Sequence, residues 1–240
     1  MKKLALIGMV LFALPLSSDE PKENNNEKVG LPEVKRKGEV SIEEAIAKRR
    51  SARKYTDEKL KLEELGQLLW AAQGITDEKS GLRAAPSACA VYPLTLYVIV
   101  GAVEKLEAGV YEYLPKEHSL KLVKKGDLRE KLYEATGKQE WSLKAPVTFV
   151  FAGDVQKFVE DTRKKNEKIS DLGLNVAIED YKRVIYLEMG HSAQNVYLQC
   201  VPLGLGGVVM NAFSRAAVQK ILDLRYDTLL YLMSIGRLPK

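Results

Sequence analysis

The chain has 240 residues, of which 46% are hydrophobic and 29% charged, and it carries a formal net charge of +5. This composition is typical of a soluble protein with enough apolar residues for one large core. Two of the positive charges are lysines at the extreme N-terminus. The remaining excess is too small to indicate a nucleic-acid-binding surface, and the basic and aromatic motifs of such surfaces are missing.

Residues 1–18 have the pattern of an export signal, or of an N-terminal anchor if they stay uncleaved. Two lysines precede an apolar stretch at 4–16, and two serines follow it as small residues for a peptidase. The apolar stretch is short for a membrane span. The sequence therefore predicts an exported protein that is periplasmic, extracellular or held on the outer side of a membrane. Contact with a membrane is expected only if this segment is retained.

Residues 19–40 are polar and have no apolar periodicity, so we expect a linker there. The folded domain is predicted to span residues 41–240. It starts at Ser41, where the spacing of Ser41 and Glu44 is typical of a capping box at a helix start. The buried face of that helix is expected to contain Ile42, Ala45 and Ile46.

The rest of the chain mixes helices and strands without regular βαβ alternation, which favours an α+β fold. Further helices are predicted near 62–73, 127–135, 178–200 and 214–222. Strands are predicted near 95–100, 110–114, 119–123, 147–152, 208–210 and 229–235. The second half of the 178–200 helix has few charges, so we expect it to be buried on most sides.

Two short stretches indicate a possible chemistry. The first is 49–53, where three arginines and a serine follow a helix, and guanidinium groups are suited to phosphate. The second is 85–93, a loop of small residues with prolines near both ends that could lie flat against a planar ring. Together they suggest a phosphorylated aromatic cofactor. The alternative is that the arginines are a solvated surface that complements the negative end of the helix dipole.

Other chemistries find little support in the sequence. His118 is expected to be exposed in a hairpin turn. His191 is expected to be a buried, hydrogen-bonded structural residue, with a catalytic role as the alternative. One buried histidine leaves too few ligands for a typical zinc site. The glycine run 204–207 follows a helix and precedes a strand, the reverse of a dinucleotide fingerprint. It is expected to end the helix, although a flavin could lie against it.

Cys89 and Cys200 both fall in segments expected to be buried, and nothing forces them to pair.

Five stretches resemble the FMN-dependent nitroreductase superfamily, and in particular its SagB-type (thiazole/oxazole dehydrogenase-like) branch. They are 41–55, 69–76, 85–97, 187–207 and the Gly-Arg pair at 236–237. The resemblance covers residues 31–239 in the family order. It implies a central, mostly antiparallel sheet flanked by helices, an intertwined homodimer, and FMN bound at the subunit interface.

The resemblance also assigns roles to individual residues. The phosphate and ribityl chain of FMN would be held by Arg49, Ser51 and Arg53, with Arg237 as a second phosphate contact. The residues that would approach the isoalloxazine ring from the partner subunit are Pro86, Ser87 and Ala88. The other side of the ring would be lined by Leu205, Gly206 and Gly207. Gln139 would touch the ring edge, and the backbone amide of Ala212 would donate to the flavin N5.

The function implied is that of an exported FMN-dependent oxidoreductase. It would pass hydride through the flavin N5 to a small acceptor such as a quinone or nitroaromatic, with NAD(P)H as a candidate donor and no catalytic side chain or metal. Two alternatives stay open: a flavin-fold binding or sensor protein without turnover, and a SagB-like azoline dehydrogenase. The Lys-Tyr pair of azoline dehydrogenases has no match at 173–177, and the nearby Tyr181-Lys182 is out of register. A secreted structural domain without a cofactor is a third alternative.

Overall fold

The computed structural model describes residues 27–165, 177–225 and 227–239, so the predicted export signal lies outside the described residues. The helices are α1 (Ile42–Lys48), α2 (Leu62–Gln73), α3 (Arg129–Ala135), α4 (Glu140–Lys144), α5 (Val155–Lys165), α6 (Ile178–Cys200) and α7 (Arg215–Leu222). The strands are β1 (Lys28–Gly30), β2 (Ile75–Asp77), β3 (Leu82–Arg83), β4 (Leu94–Val100), β5 (Gly109–Leu114), β6 (Ser119–Lys125), β7 (Val147–Gly153), β8 (Leu205–Met210) and β9 (Leu229–Arg237). Within these ranges, no helix combines the length and the apolar character that a membrane crossing needs.

One large sheet organises the described part of the chain. Its seven strands are ordered β1-β6-β5-β4-β7-β9-β8, and β2 pairs only with β3 in a separate hairpin. All neighbouring strands in the large sheet are antiparallel. The predicted α+β class and its antiparallel sheet are therefore confirmed.

Helices cover both faces of the sheet, since the side chains of its strands alternate between two cores. Phe149 and Phe151 of β7 belong to the core that includes residues of α2 and α6. The intervening Val150 belongs to the second core, with residues of α3 and α7. Every residue of β7 is buried, as expected for a central strand covered on both sides.

The fold begins earlier than the sequence predicts. Lys28–Gly30, within the predicted linker, pairs with Ser119–Lys121 of β6 as an edge strand. A three-residue strand has too little periodicity to be recognised from sequence, and it forms here because β6 offers a free edge.

The first helix starts as predicted but does not bury the predicted face. The Ser41 hydroxyl accepts a hydrogen bond from the Glu44 backbone amide at 3.1 Å, which is the expected cap. Ala45 is buried, whereas Ile42 and Ile46 are 54% and 59% exposed. The prediction of a three-residue inner face was wrong because this short helix packs only Ala45 inward.

Helix α6 has the predicted bounds but a partly open surface. Leu187, Gly190, His191 and Gln194 are exposed, and their spacing of three and four residues places them on one face. The prediction that this half is buried on most sides is confirmed, because after Glu188 only this face is exposed. The prediction that His191 is a buried residue was wrong. Leu187 is 58% exposed, an unusual position for a large apolar side chain.

Candidate functional site

The structure brings the arginine stretch and the glycine run together. Ser51 forms a parallel bridge with Gly207 at the start of β8, and the Ala52 amide donates to the Gly207 carbonyl at 2.8 Å. The Tyr55 hydroxyl secures the segment by donating to the carbonyls of Ala52 at 2.8 Å and Ser234 at 3.1 Å. Residues 49–53 are thus held beside the edge strand β8.

A cavity of about 340 Å³ lies between these two stretches. Lys48, Arg49 and Arg50 line one side of it, and the glycine run 204–207 lines another. The volume is within the range of small-molecule sites, which is roughly 300–1,000 Å³. Gly204 has a φ of 65° and precedes β8, so the glycine run ends the helical region and opens the strand as predicted.

The cationic side of the cavity has little internal compensation. Among the described residues, no carboxylate forms an ion pair with Arg49, Arg50 or Arg53. Arg50 donates to the carbonyls of Ala47 at 2.9 Å and Arg49 at 2.7 Å, so it caps the end of α1. Its role matches the solvated-surface alternative. Arg49 instead lies half-buried at the cavity, where its charge is available to an anion.

Tyr197 of α6 is a site residue that the sequence did not reveal. The Arg49 guanidinium carbon is 5.1 Å from the centre of its ring. Its hydroxyl lies 3.3 Å from the Ser51 hydroxyl and accepts from the Val209 amide at 3.0 Å. A buried tyrosine hydroxyl needs polar partners, but those partners come from distant parts of the chain. Tyr197 therefore fixes Arg49 and Ser51 against β8.

Gln139 and Ala212, both predicted at the ring edge, lie next to each other. The Gln139 side-chain amide donates to the carbonyls of Ala212 and Thr136, each at 2.8 Å. Arg53 is near this group, with its guanidinium carbon 5.5 Å from the centre of the Trp141 ring. Arg53 thus points away from the cavity lined by Arg49 and toward α4.

Arg237, predicted as a second phosphate contact, is paired with acidic side chains of the protein. Its Nη2 pairs with both carboxylate oxygens of Glu64 at 2.7 and 2.8 Å, and its Nε lies 2.9 Å from a carboxylate oxygen of Glu58. These acids raise the pKa of Arg237, chiefly through the Glu64 hydrogen bonds, and they compensate its charge. Its Nη1 instead donates to the Leu203 carbonyl at 3.4 Å, so the phosphate contact of Arg237 stays a prediction.

The glycines of β8 are required by the packing of the protein itself. A Cβ on Gly207 would lie 2.9 Å from the Ser234 carbonyl oxygen, and one on Gly206 would lie 2.8 Å from the Ala52 Cβ. Neighbouring Leu205 is buried. These glycines allow the arginine segment to approach β8 closely, which is how they contribute to the cavity.

The loop at 85–93 has a constrained backbone. Cys89, Ala90 and Tyr92 have φ values of 54°, 52° and 53°, a region that costs a non-glycine residue on the order of 1–3 kcal/mol. The Tyr92 amide donates to the Ser87 hydroxyl at 2.9 Å, and the Tyr92 hydroxyl accepts from the Arg83 amide at 3.0 Å. Such clusters of strained residues are typical of ligand-contacting loops.

This loop and the cavity are separate parts of one protomer. Pro86 and Ala88 are exposed and Ser87 is half-buried. None of these three residues lines the cavity beside Arg49. The loop therefore does not complete the site within its own chain.

Cys89 and the other histidine differ from expectation. Cys89 is exposed, whereas Cys200 is buried as predicted, and both are free. His118 is half-buried instead of solvent-exposed: its Nδ1 lies 3.0 Å from the Tyr113 hydroxyl and its Nε2 lies 3.1 Å from the Pro32 carbonyl oxygen. Burial lowers its pKa. The chain at 31–32 covers this turn, which the sequence did not reveal.

The described residues thus form an antiparallel sheet between helical layers, with a cationic cavity beside a glycine-bearing edge strand. The nitroreductase family profile matches residues 46–237. A Methanocaldococcus jannaschii protein with a provisional nitroreductase name is 36% identical over 209 residues, which cover 87% of this chain and 96% of the relative. The chain therefore belongs to the nitroreductase family.

Two solved structures have the same fold. A provisionally named nitroreductase from Ralstonia eutropha superposes with a TM-score of 0.70 at 27% identity, over 90% of this chain and 92% of the other. One from Exiguobacterium sibiricum, solved in complex with FMN, gives a TM-score of 0.59 at 18% identity, over 85% of this chain and 91% of the other.

Proposed function

We propose that the protein is an exported enzyme that binds FMN beside β8 and passes hydride to a small acceptor such as a quinone or nitroaromatic. The observation that carries the proposal is Arg49, a half-buried arginine without a described carboxylate partner, in the cavity beside Ser51 and Gly207. FMN, when bound, supplies two-electron chemistry at its N5 atom. The FMN in the Exiguobacterium sibiricum structure supports this choice of cofactor.

The chain's own residues would hold the phosphate at the arginine side of the cavity. Arg49 offers a planar set of donors suited to phosphate oxygens, and Ser51 adds a hydroxyl. Tyr197 holds both in place through its ring and hydroxyl. Arg53 is an outer contact in this proposal, and Arg237 acts indirectly by anchoring the end of β9 to Glu64.

The ring edge would lie near the turn that follows β8. Gln139 holds the Ala212 carbonyl, which restrains the backbone at this turn. The proposed hydrogen bond from the Ala212 amide to N5 depends on that restraint. Gln139 thus orients a backbone donor in addition to any contact of its own.

We further propose a homodimer in which the 85–93 loop of one subunit completes the site of the other. The loop does not line the cavity of its own chain. Exposed apolar side chains that a partner could cover are Ile42, Ile46, Leu187 and Leu238. Burying such residues is a main driving force for stable association.

Small acceptors suit this site better than azoline peptides. Removing hydrogen from an azoline requires a base for the departing proton, whereas a quinone can take its proton from water. The nearby Tyr181-Lys182 pair is engaged elsewhere, since the Tyr181 ring centre lies 5.8 Å from that of Phe158 and Lys182 pairs with Glu179 at 2.6 Å. Positions 173–176 lie outside the described residues.

The test is anaerobic reoxidation of the purified holoenzyme. The flavin is reduced chemically, and a quinone, a nitroaromatic and an azoline peptide are added in separate experiments. Reoxidation by the quinone or nitroaromatic is expected, and NAD(P)H is tested in parallel as the donor. A protein that binds FMN but reacts with neither acceptor would be a binding or sensor protein. Azole formation without quinone reactivity would favour the azoline dehydrogenase.

Cell fractionation with and without residues 1–18 tests export.

A further inference from the structure

A buried carboxyl group lies on α6, outside the cavity described above. Glu188 is 2% exposed. Neither of its carboxylate oxygens accepts a well-aligned hydrogen bond from another described residue. A buried carboxylate without such partners is costly. A buried carboxyl whose pKa is shifted by burial and by a nearby charge is a candidate functional group.

Two groups from different elements act on Glu188. Ser87, from the 85–93 loop, and Arg83, from β3, are near enough to act on its charge, and Arg83 is linked through Gln73 to Ser192, one helical turn from Glu188. Burial raises the pKa of Glu188 to about 7, while Ser87 and Arg83 oppose that rise. The carboxyl therefore changes its charge close to neutral pH.

Arg83 is itself held in a fixed position. Its guanidinium donates to the Gln73 side-chain oxygen, and Gln73 in turn donates to the Ser192 hydroxyl at 2.6 Å. The guanidinium carbon lies 4.5 Å from the centre of the Tyr92 ring. Burial lowers the pKa of Arg83, whereas Glu188, Tyr92 and Tyr113 raise it. An arginine stays charged throughout the neutral range, so Glu188 is the group that titrates here.

Ser87 joins this buried pair to the strained loop. Its oxygen accepts from the Tyr92 amide at 2.9 Å, which leaves the direction of its own proton to be decided by its other neighbours. A carboxylate can only accept, so an ionised Glu188 draws the Ser87 proton toward itself. A neutral carboxylic acid can donate to the Ser87 oxygen, which frees the Ser87 proton to point elsewhere.

We propose that Glu188 is a positioning residue that orients the Ser87 hydroxyl, and that its protonation decides whether this hydroxyl donates inward or toward the bound substrate and cofactor. The inference rests on the proposed function, because it assumes that the 85–93 loop faces the flavin site of a dimer. No bond to substrate forms in this step: one proton binds to or leaves the carboxyl, and one hydroxyl rotates.

The proposal is tested first by infrared spectroscopy of the full-length protein across pH. Wild type should show a carboxylic-acid carbonyl band that titrates near neutral pH. Glu188→Gln should lack the band, and Glu179→Gln, an exposed glutamate on the same helix, should keep it. In Ser87→Ala the midpoint should move to higher pH, because the hydroxyl that lowers the pKa of Glu188 is gone. A band that is missing, or a midpoint unmoved in Ser87→Ala, would overturn the proposal.

The second measurement concerns the loaded enzyme and uses the same variants. The kcat/KM for a quinone should show an ionisation near neutral pH in wild type and Glu179→Gln, and should lose it in Glu188→Gln. An ionisation that persists in Glu188→Gln would contradict the positioning role. The infrared titration needs neither FMN nor turnover, so it tests the Glu188–Ser87 link separately from the proposed function. A protein that titrates as expected but binds no FMN would refute the proposed function and leave that link established.

Discussion

Replacement of Arg49 by alanine tests the phosphate site most sharply. Arg49 lines the cavity, lies against Tyr197 and forms no ion pair with a described carboxylate. Removing it should cost one charge-assisted contact, roughly 1.5–3 kcal/mol. That corresponds to about a ten- to hundredfold weaker FMN affinity. Arg183→Ala, an exposed arginine paired with Asp180, is the matched control and should bind FMN as wild type does.

The assay is fluorescence titration of the apoprotein with FMN, combined with its stabilisation by FMN. At an FMN concentration one hundred times the dissociation constant, binding stabilises the folded state by about 2.7 kcal/mol. A variant with hundredfold weaker affinity should retain only about 0.4 kcal/mol at the same concentration. An Arg49→Ala protein with unchanged affinity would refute the assignment. Riboflavin, which has no phosphate, should bind wild type and variant equally.

Four further outcomes follow from the structure. Arg53→Ala should weaken FMN binding less than Arg49→Ala in a parallel titration, since Arg53 points toward Trp141. An equal or larger loss of affinity in Arg53→Ala would show that the phosphate is not held chiefly by Arg49. Gly207→Ala should lower stability by roughly 1–3 kcal/mol, because its Cβ would meet the Ser234 carbonyl oxygen at 2.9 Å; denaturant unfolding measures this, and an unchanged midpoint would disprove the close approach. Ile46→Glu should yield monomers with reduced FMN binding in sedimentation experiments, whereas a variant that remains dimeric would exclude α1 from the interface. The free energy of unfolding of wild type should fall as pH rises from 4.5 to about 7. Folding raises the pKa of Glu188 over that range, so the folded state binds more protons than the unfolded one. Glu188→Gln should lack this fall in stability, and identical pH profiles of the two proteins would contradict the raised pKa.

Long periodic segments were predictable from the sequence, because many residues contribute to each pattern. Helix α6 has the predicted bounds at 178–200, and α2 has them at 62–73. Strands β1, β2 and β3 have only two or three residues, too few to generate a periodic signal. Helix α5 was also missed, since its eleven residues are mostly polar.

The site was predictable in its parts but not in its arrangement. The arginine stretch and the glycine run could be recognised separately. Their contact depends on a parallel bridge between Ser51 and Gly207, residues far apart in the chain. The ion pair of Arg237 with Glu64 joins β9 to α2, and this contact too depends on tertiary packing. Local sequence could not show that this arginine is already compensated.

Surface exposure was the least predictable property. Ile42 and Ile46 have the spacing of a buried helical face, yet both are exposed. Hydrophobic periodicity shows that a face is covered but not which molecule covers it. A partner subunit would resolve this difference, as the proposed homodimer does.

The most direct test of the account is the visible absorption spectrum of the full-length protein, purified and then saturated with FMN and freed of excess cofactor. The account predicts the bands of oxidised flavin with one FMN per chain, which are bleached by anaerobic reduction and restored by a quinone. The same procedure with Arg49→Ala should leave much less flavin bound. A colourless wild-type protein that retains no FMN, although its far-ultraviolet circular dichroism shows a folded chain, would contradict the central claim.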